Sequence, residues 1–220
     1  MTIAVLFIII TGIAVGRFPV LRMNRATIAL AGAILLVCIG ALDLEEAFRS
    51  LDLGTLSLLF AMMVVNGSLK LCGFFGLAGS WILRNARTPS TLLGLIILSG
   101  GVLSALFLND TVVLMFTPLV LEVVVLSKRN PVPYLLGLAL SANIGSMATI
   151  IGNPQNIIIG TSSGISFLRF TGFLVMPSLL GLGVAWLVIR LLYPGEFRDR
   201  TVFEPVVRPA RIYRPLLYKA

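Results

Sequence analysis

Long apolar stretches constrain the fold of this chain more than any other feature of its sequence. Several of them, each bounded by Arg, Lys, Asp or Pro, are long enough to cross a hydrocarbon core of about 30 Å. Charged residues make up only 12% of the chain and its mean hydropathy is +1.03, whereas about a quarter of the residues in a soluble domain are charged. The sequence therefore predicts an all-α integral membrane protein.

Hydropathy places the apolar runs along the chain. An amphipathic stretch at 74–84 follows the third run and is predicted to lie along the membrane interface. We expect about five transmembrane helices within residues 1–193, together with a re-entrant helical hairpin near 89–128 and a broken helix near 133–165. The predicted apolar runs are 2–15, 26–42, 54–70, 91–108, 111–127, 133–150, 157–165 and 171–192.

Basic residues set the expected orientation of the chain in the membrane. Arg17, Arg22 and Arg25 lie between the first two runs, whereas the next loop is mainly acidic. The positive-inside rule then predicts a multi-pass protein of the cell (inner) membrane with its N-terminus outside and a basic cytoplasmic linker or tail at 194–220. The net charge of +8 lies in loops and tail rather than on a soluble basic face, so nucleic acid is not an expected partner.

The predicted hairpin has a polar tip formed by Asn109, Asp110 and Thr111 between apolar residues. Irregular backbone at membrane depth is tolerated only where it faces protein or a water-filled cavity, which is where ion pathways run. The alternative is a tight extracellular turn. These hard oxygen groups suit a small cation, so the tip is a candidate sodium site or proton relay. Glu122, on the returning arm, is either functional or an ion-paired residue near the cytoplasmic surface.

The predicted break in the later helix centres on Gly152, Asn153 and Pro154. Proline lacks an N–H and disfavours helical geometry at the preceding residue, so backbone groups are freed from the helical ladder here. A plain proline kink capped by neighbouring helices is the alternative. Polar residues crowd the segment more than a kink requires, and they offer a solute neutral hydrogen bonds: Ser141, Asn143, Ser146, Thr149, Asn153, Gln155 and Asn156.

The hairpin tip and the break are chemically complementary. Half-helix N-termini attract anions, whereas unwound carbonyls and helix C-termini coordinate cations, so one site holds a small anion and its coupling ion, Na⁺ or H⁺. No cofactor beyond that ion is expected. Two alternatives remain: a sodium/proton antiporter in which Asp110 alone exchanges the ions, and a non-transporting membrane subunit whose glycines serve helix packing. The chain contains no His and offers no base–nucleophile pair, so an enzyme is not expected.

Residues 105–111 with 117–120, and above all 141–156, resemble the ion transporter superfamily. Within it they look most like bacterial anion permeases related to the divalent anion:sodium symporters and the arsenite and citrate permeases. The resemblance implies two inverted repeats, each with a polar-tipped hairpin and a discontinuous helix, that work by an elevator-like movement in a dimer. The matching site residues are Asn109, Asp110, Thr111, Asn143, Gly145, Ser146, Thr149, Gly152, Asn153, Pro154 and Asn156.

The resemblance also departs from the family pattern in two respects. Asp110 replaces the middle residue of the Ser-Asn-Thr pattern of the dicarboxylate branch, which leaves both the anion and the coupling ion open. In addition, the chain matches only the first repeat. We therefore expect half of a transporter, either a fragment, a split gene product or a half-unit, whose partners are the lipid bilayer, a small anionic solute, and a second-half repeat or another copy of the chain.

Overall fold

The computed structural model describes residues 2–16 and 23–198, and within those residues it contains helices and no strand ladder. Four helices are long and apolar enough to cross a membrane, and two shorter apolar helices precede them. The prediction of an all-α, multi-pass membrane protein is confirmed. The helices are α1 (Thr2–Val15), α2 (Arg25–Cys38), α3 (Leu44–Arg49), α4 (Leu53–Leu71), α5 (Phe74–Asn85), α6 (Pro89–Leu106), α7 (Asn109–Leu126), α8 (Pro131–Ser146), α9 (Pro154–Ser163), α10 (Phe167–Leu192) and α11 (Pro194–Phe197).

The chain divides into two compact units, Met1–Leu53 and Gly54–Ala220. In the first unit α1 packs on α2, where Gly32 lies so close to Ile9 that a Cβ would come within 2.7 Å of that side chain. The short helix α3 was not predicted, because its acidic sequence gives no hydropathy signal. Asp43 caps α3, and Arg49 pairs with Glu45 at 2.7 Å on its exposed surface.

The second unit is organised around α8, which packs against α6, α7 and α10. Apolar side chains of these helices form its core, among them the fully buried Leu93, Phe116 and Tyr134. The predicted amphipathic stretch forms α5, which buries Phe75 and Ile82 against this core. Both α4 and α10 expose large apolar side chains, as lipid contact requires.

The predicted hairpin is present as α6 and α7, but its turn differs from the expectation. Only Phe107 and Leu108 lie outside the helices, and the polar triplet 109–111 forms the first turn of α7. Asn, Asp and Thr are favoured at helix N-termini, where their oxygens face free N–H groups, which explains the difference. Each arm has 18 residues, or about 27 Å, so the re-entrant depth of the hairpin stays a prediction.

The broken helix is also present, with its break earlier than expected. Helix α8 ends at Ser146 and α9 begins at Pro154, so the irregular segment is 147–153. Pro154 and the residues after it, which we expected to interrupt the helix, form the first turn of α9 instead. Proline is favoured at the first helical position because its missing N–H would be unpaired there anyway.

Past α10, the first residues of the predicted basic tail form α11, which packs on the start of α8. The Glu196 carboxylate accepts a hydrogen bond from the Tyr134 hydroxyl at 3.0 Å and lies 3.9 Å from the Arg129 guanidinium. The remainder of the predicted tail, from residue 199, and the Arg-rich stretch 17–22 lie outside the described residues.

Candidate functional site

Three helix ends meet at one polar pocket of about 430 Å³ in the second unit. The N-terminal turns of α7 and α9 and the C-terminal turn of α8 form its walls. This volume falls within the roughly 300–1,000 Å³ of small-molecule sites. The lining residues are Asn109, Asp110, Asn143, Ser146, Asn153, Pro154, Gln155 and Asn156.

The first turn of α7 is tied to both neighbouring segments. The Asn109 backbone N–H donates to the carbonyl of Gly152 at 3.0 Å, so the hairpin is bonded directly to the break. The Asn109 side-chain amide donates to the Asn143 side chain of α8 at 3.4 Å. The exposed Asp110 side chain lies at the pocket. The backbone N–H of Asp110 donates to Asn109 Oδ1 at 3.0 Å. The structure thus brings the predicted tip and break together.

The start of α9 forms the opposite wall. Asn153 caps this helix, because its Oδ1 accepts the N–H of Asn156 at 2.8 Å. Its side-chain amide also donates to Ser146 Oγ at 3.1 Å, and that hydroxyl donates to the Asn143 carbonyl at 2.9 Å. A chain of hydrogen bonds therefore joins the end of α8 to the start of α9.

The side chain of Asn156 stabilises the break itself. Its amide nitrogen lies 3.2 Å from the Ser146 carbonyl, 3.4 Å from that of Met147 and 2.9 Å from that of Thr149. The Thr149 hydroxyl in turn donates to the Ala105 carbonyl at the end of α6. Carbonyls released from the helical ladder are satisfied in this way, which membrane-depth backbone requires. Thr149 itself does not line the pocket.

The two glycines predicted at the site allow close backbone packing instead of lining the pocket. A Cβ at Gly145 would collide with the backbone of Gly101 on α6, and a Cβ at Gly152 would collide with the Ser146 carbonyl. Both glycines are buried. Gly145 allows α8 to pack closely on α6, and Gly152 allows the irregular segment to pack on the end of α8. Both act on the site indirectly.

Three further residues bear on the site, and the sequence either did not predict them or predicted a different role for them. The Thr111 side chain does not line the pocket and accepts a 3.4 Å hydrogen bond from Asn66 of α4. Asn66 was not predicted, although a lone amide in an apolar run is a signal for a buried polar contact. Gln155 lines the pocket. The sequence predicted it as one of the polar residues of the break but not as a residue of the site.

The pocket lining has an uneven charge distribution. It includes one carboxylate, that of Asp110, and no basic side chain. Positive potential comes from the N-termini of α7 and α9, because the first N–H groups of a helix carry its positive dipole end. The C-terminal turn of α8 supplies carbonyl oxygens. The arrangement offers donors for an anion beside oxygens for a cation.

Comparison with known proteins identifies the family of the chain. The family model described as "Citrate transporter" matches residues 4–217 of the chain. The chain is 39% identical over 178 residues to the silicon efflux transporter LSI3 of Oryza sativa subsp. japonica, covering 81% of this chain and 37% of that protein. It is 29% identical over 179 residues to the putative transporter arsB of Dictyostelium discoideum, covering 81% of this chain and 32% of that protein.

A further relative is the 46 kDa membrane protein of Mycobacterium leprae, which is 31% identical over 189 residues. The chain spans 32–43% of the length of these three relatives. The resemblance inferred from residues 105–120 and 141–156 is confirmed, and the family is one of transporters rather than enzymes, as expected. The chain belongs to the citrate transporter family.

Proposed function

We propose that this chain forms one half of a secondary active transporter, in which the pocket between α7, α8 and α9 binds a small anion together with its coupling ion, Na⁺ or H⁺. One observation carries the proposal: two helix N-termini and one helix C-terminus meet around a single polar pocket. Such broken helices supply opposite partial charges at close quarters, which is how membrane transporters bind ion pairs without charged clusters.

Asp110 is the candidate site of the coupling ion. It is the carboxylate among the pocket residues, and the Asn109 and Asn143 side chains provide neutral oxygens nearby. A hard cation prefers such oxygen ligands, and a proton would bind the carboxylate directly. Binding of either ion removes negative charge from the pocket, which favours entry of an anion. Coupling follows from this electrostatic linkage.

The pocket chemistry also bears on the solute. Amides and hydroxyls dominate the lining and no basic side chain is present, so a solute of low charge, or an anion accompanied by its cation, fits better than a bare polyanion. Citrate and silicic acid are the probes to use first, because a citrate transporter model and a silicon efflux transporter are similar to this chain. Arsenite follows from the resemblance to arsenite permeases.

A partner completes the site in this proposal. The chain spans 32–43% of the length of its relatives, and a single repeat supplies one side of a solute site. A second-half repeat on a separate or continuous chain is the expected partner, and a second copy of this chain is the alternative. Uptake is compared between vesicles that contain the chain alone and vesicles that also contain a second-half repeat. Uptake by the chain alone favours a second copy as the partner, and uptake only with the repeat favours the repeat.

The central experiment is Asp110→Asn in such vesicles. We expect ion-coupled uptake of the carried probe to fall to background, while membrane insertion and yield stay at wild-type levels. Glu122→Gln is the matched control, because it neutralises another carboxylate of α7 that does not line the pocket. Wild-type uptake by Asp110→Asn would contradict the proposal.

The same vesicles discriminate the other functions. A sodium/proton antiporter would move protons in response to Na⁺ with no solute present, and Asp110→Asn would stop that flux. In a non-transporting subunit, Ala substitutions at Asn143 and Asn153 would change stability and nothing else. Solute-dependent uptake that is lost in these two variants supports the transporter.

A further inference from the structure

Helix α4 has an unusual pattern of burial. Thr55 and Asn66 are its buried residues, at 4% and 2% exposure, and both are polar. They are eleven residues apart, or about three turns, so they lie on the same face of the helix. Large apolar side chains of α4, such as Phe60 and Met63, are exposed instead. Apolar residues of the same face, such as Leu59 and Met62, are only half-buried, so the two polar side chains are its most deeply buried ones.

The two polar residues bond to the two helices whose N-termini open at the pocket. Thr55 Oγ1 lies 3.0 Å from Thr161 Oγ1 on α9, and the Asn66 amide donates to Thr111 Oγ1 on α7 at 3.4 Å. Their positions differ in one respect. Thr161 lies about two turns beyond the pocket end of α9, whereas Thr111 belongs to the same first turn as Asp110.

The hydrogen-bonding capacity of Asn66 is only partly used. Its Oδ1 is buried and has no hydrogen-bond partner among the described residues. Buried polar atoms in proteins nearly always have partners, so one without a partner calls for an explanation. An intramembrane polar residue is also a candidate for function by default.

We propose that Asn66 is a positioning residue for the coupling-ion site, acting through Thr111 on the first turn of α7 and thereby on Asp110. The inference rests on the proposed transport function. The Asn66 amide bonds to the Thr111 hydroxyl, which does not line the pocket, and so holds the turn in which Asp110 and Asn109 face it. Loss of this contact loosens the turn that carries the carboxylate. The affinity for the coupling ion then falls, while the α9 wall keeps its geometry.

The test compares Asn66→Leu with Thr55→Val in vesicles of the complete transporter. Asn66→Leu removes the amide and keeps the branched shape of the side chain, and Thr55→Val removes the other polar contact of the same helix face, away from the pocket. We expect Asn66→Leu to raise the half-saturating concentration of the coupling ion about tenfold, with less change in solute KM at saturating ion. Thr55→Val should stay within about twofold of wild type. Equal effects of the two variants would overturn the inference.

A double-mutant cycle tests the route through Thr111. Thr111→Val should raise the ion requirement as Asn66→Leu does, and the double variant should be no worse than either single variant, because each removes the same contact. Thr111→Ser keeps the hydroxyl, so the half-saturating concentration of the coupling ion should stay at the wild-type value. Additive losses would show that Asn66 does not act through Thr111, and the inference would fall.

Hydrogen exchange of the purified chain provides a readout that does not need transport. Asn66→Leu should speed amide exchange in a peptide that covers residues 107–112, and Thr55→Val should leave that peptide unchanged. Unchanged exchange in Asn66→Leu would overturn the positioning role even if transport were impaired. If wild-type vesicles carry no probe, the proposed transport function fails, and the exchange result alone decides whether Asn66 positions this turn.

Discussion

Single side chains hold the irregular backbone between α8 and α9 together. The Asn156 amide donates toward carbonyls of Ser146, Met147 and Thr149, which have left the helical ladder. A buried carbonyl without a donor costs about 1–3 kcal/mol, so one amide that serves several of them contributes more than an ordinary surface residue. The geometry of the pocket wall depends on this residue.

We expect Asn156→Leu to lower the melting temperature of the purified protein and to reduce its folded yield. The substitution keeps the branched shape of the side chain and removes its donors, at a cost of about 2 kcal/mol or more. Gln155→Leu is the control, since the neighbouring amide is exposed at the pocket. Equal melting temperatures for the two variants would contradict the role given to Asn156.

The close approach of Gly145 to α6 leads to a second prediction. A Cβ there meets the backbone of Gly101, which has no flexible end to move aside. Gly145→Ala should therefore separate α6 from α8 and reduce the monodisperse fraction in gel filtration. Gly172→Ala on α10 adds the same methyl where nothing lies within 4 Å, and it should elute as wild type does. A normal elution profile for Gly145→Ala would refute the close packing.

At the scale of elements, α11 fastens the end of α10 to the start of α8. Tyr134 is fully buried, and its hydroxyl donates to the Glu196 carboxylate. A hydrogen bond to a charged group contributes about 1.5–3 kcal/mol. Tyr134→Phe should lower thermal stability accordingly, whereas Tyr193→Phe, on the neighbouring half-buried ring, should not. The measurement is thermal unfolding in detergent. Equal unfolding midpoints for Tyr134→Phe and Tyr193→Phe would show that the Tyr134–Glu196 hydrogen bond does not stabilise the protein.

The sequence predicted the helices better than their ends. Apolar runs located α4, α6, α7 and α10, and Pro154 marked the break, because both are local properties of the chain. The polar triplet 109–111 was predicted as a turn, since local sequence does not distinguish a buried turn from the first turn of a helix. The Asn66–Thr111 contact was not predictable, because the sequence carries no record of which distant residues meet.

At the scale of the whole molecule, the orientation in the membrane stays a prediction from the charges of the loops. In a background with Cys38→Ser and Cys72→Ser, a membrane-impermeant thiol reagent should label Ser50→Cys in intact cells. The same reagent should label Arg87→Cys only after the membrane is opened, because the positive-inside rule keeps that loop in the cytoplasm. Labelling of Arg87→Cys in intact cells would reverse the predicted topology.

The hydrogen bond from the Asn109 N–H to the Gly152 carbonyl has a consequence for movement within the proposed transporter. It joins the start of α7, which carries the candidate ion site, to the irregular segment between α8 and α9, which forms another wall of the pocket. Separating the two would leave a donor and an acceptor unpaired, at a cost of about 1–3 kcal/mol for each group that stays buried. In the proposed transporter, the ion site and the facing wall are therefore expected to move as one unit.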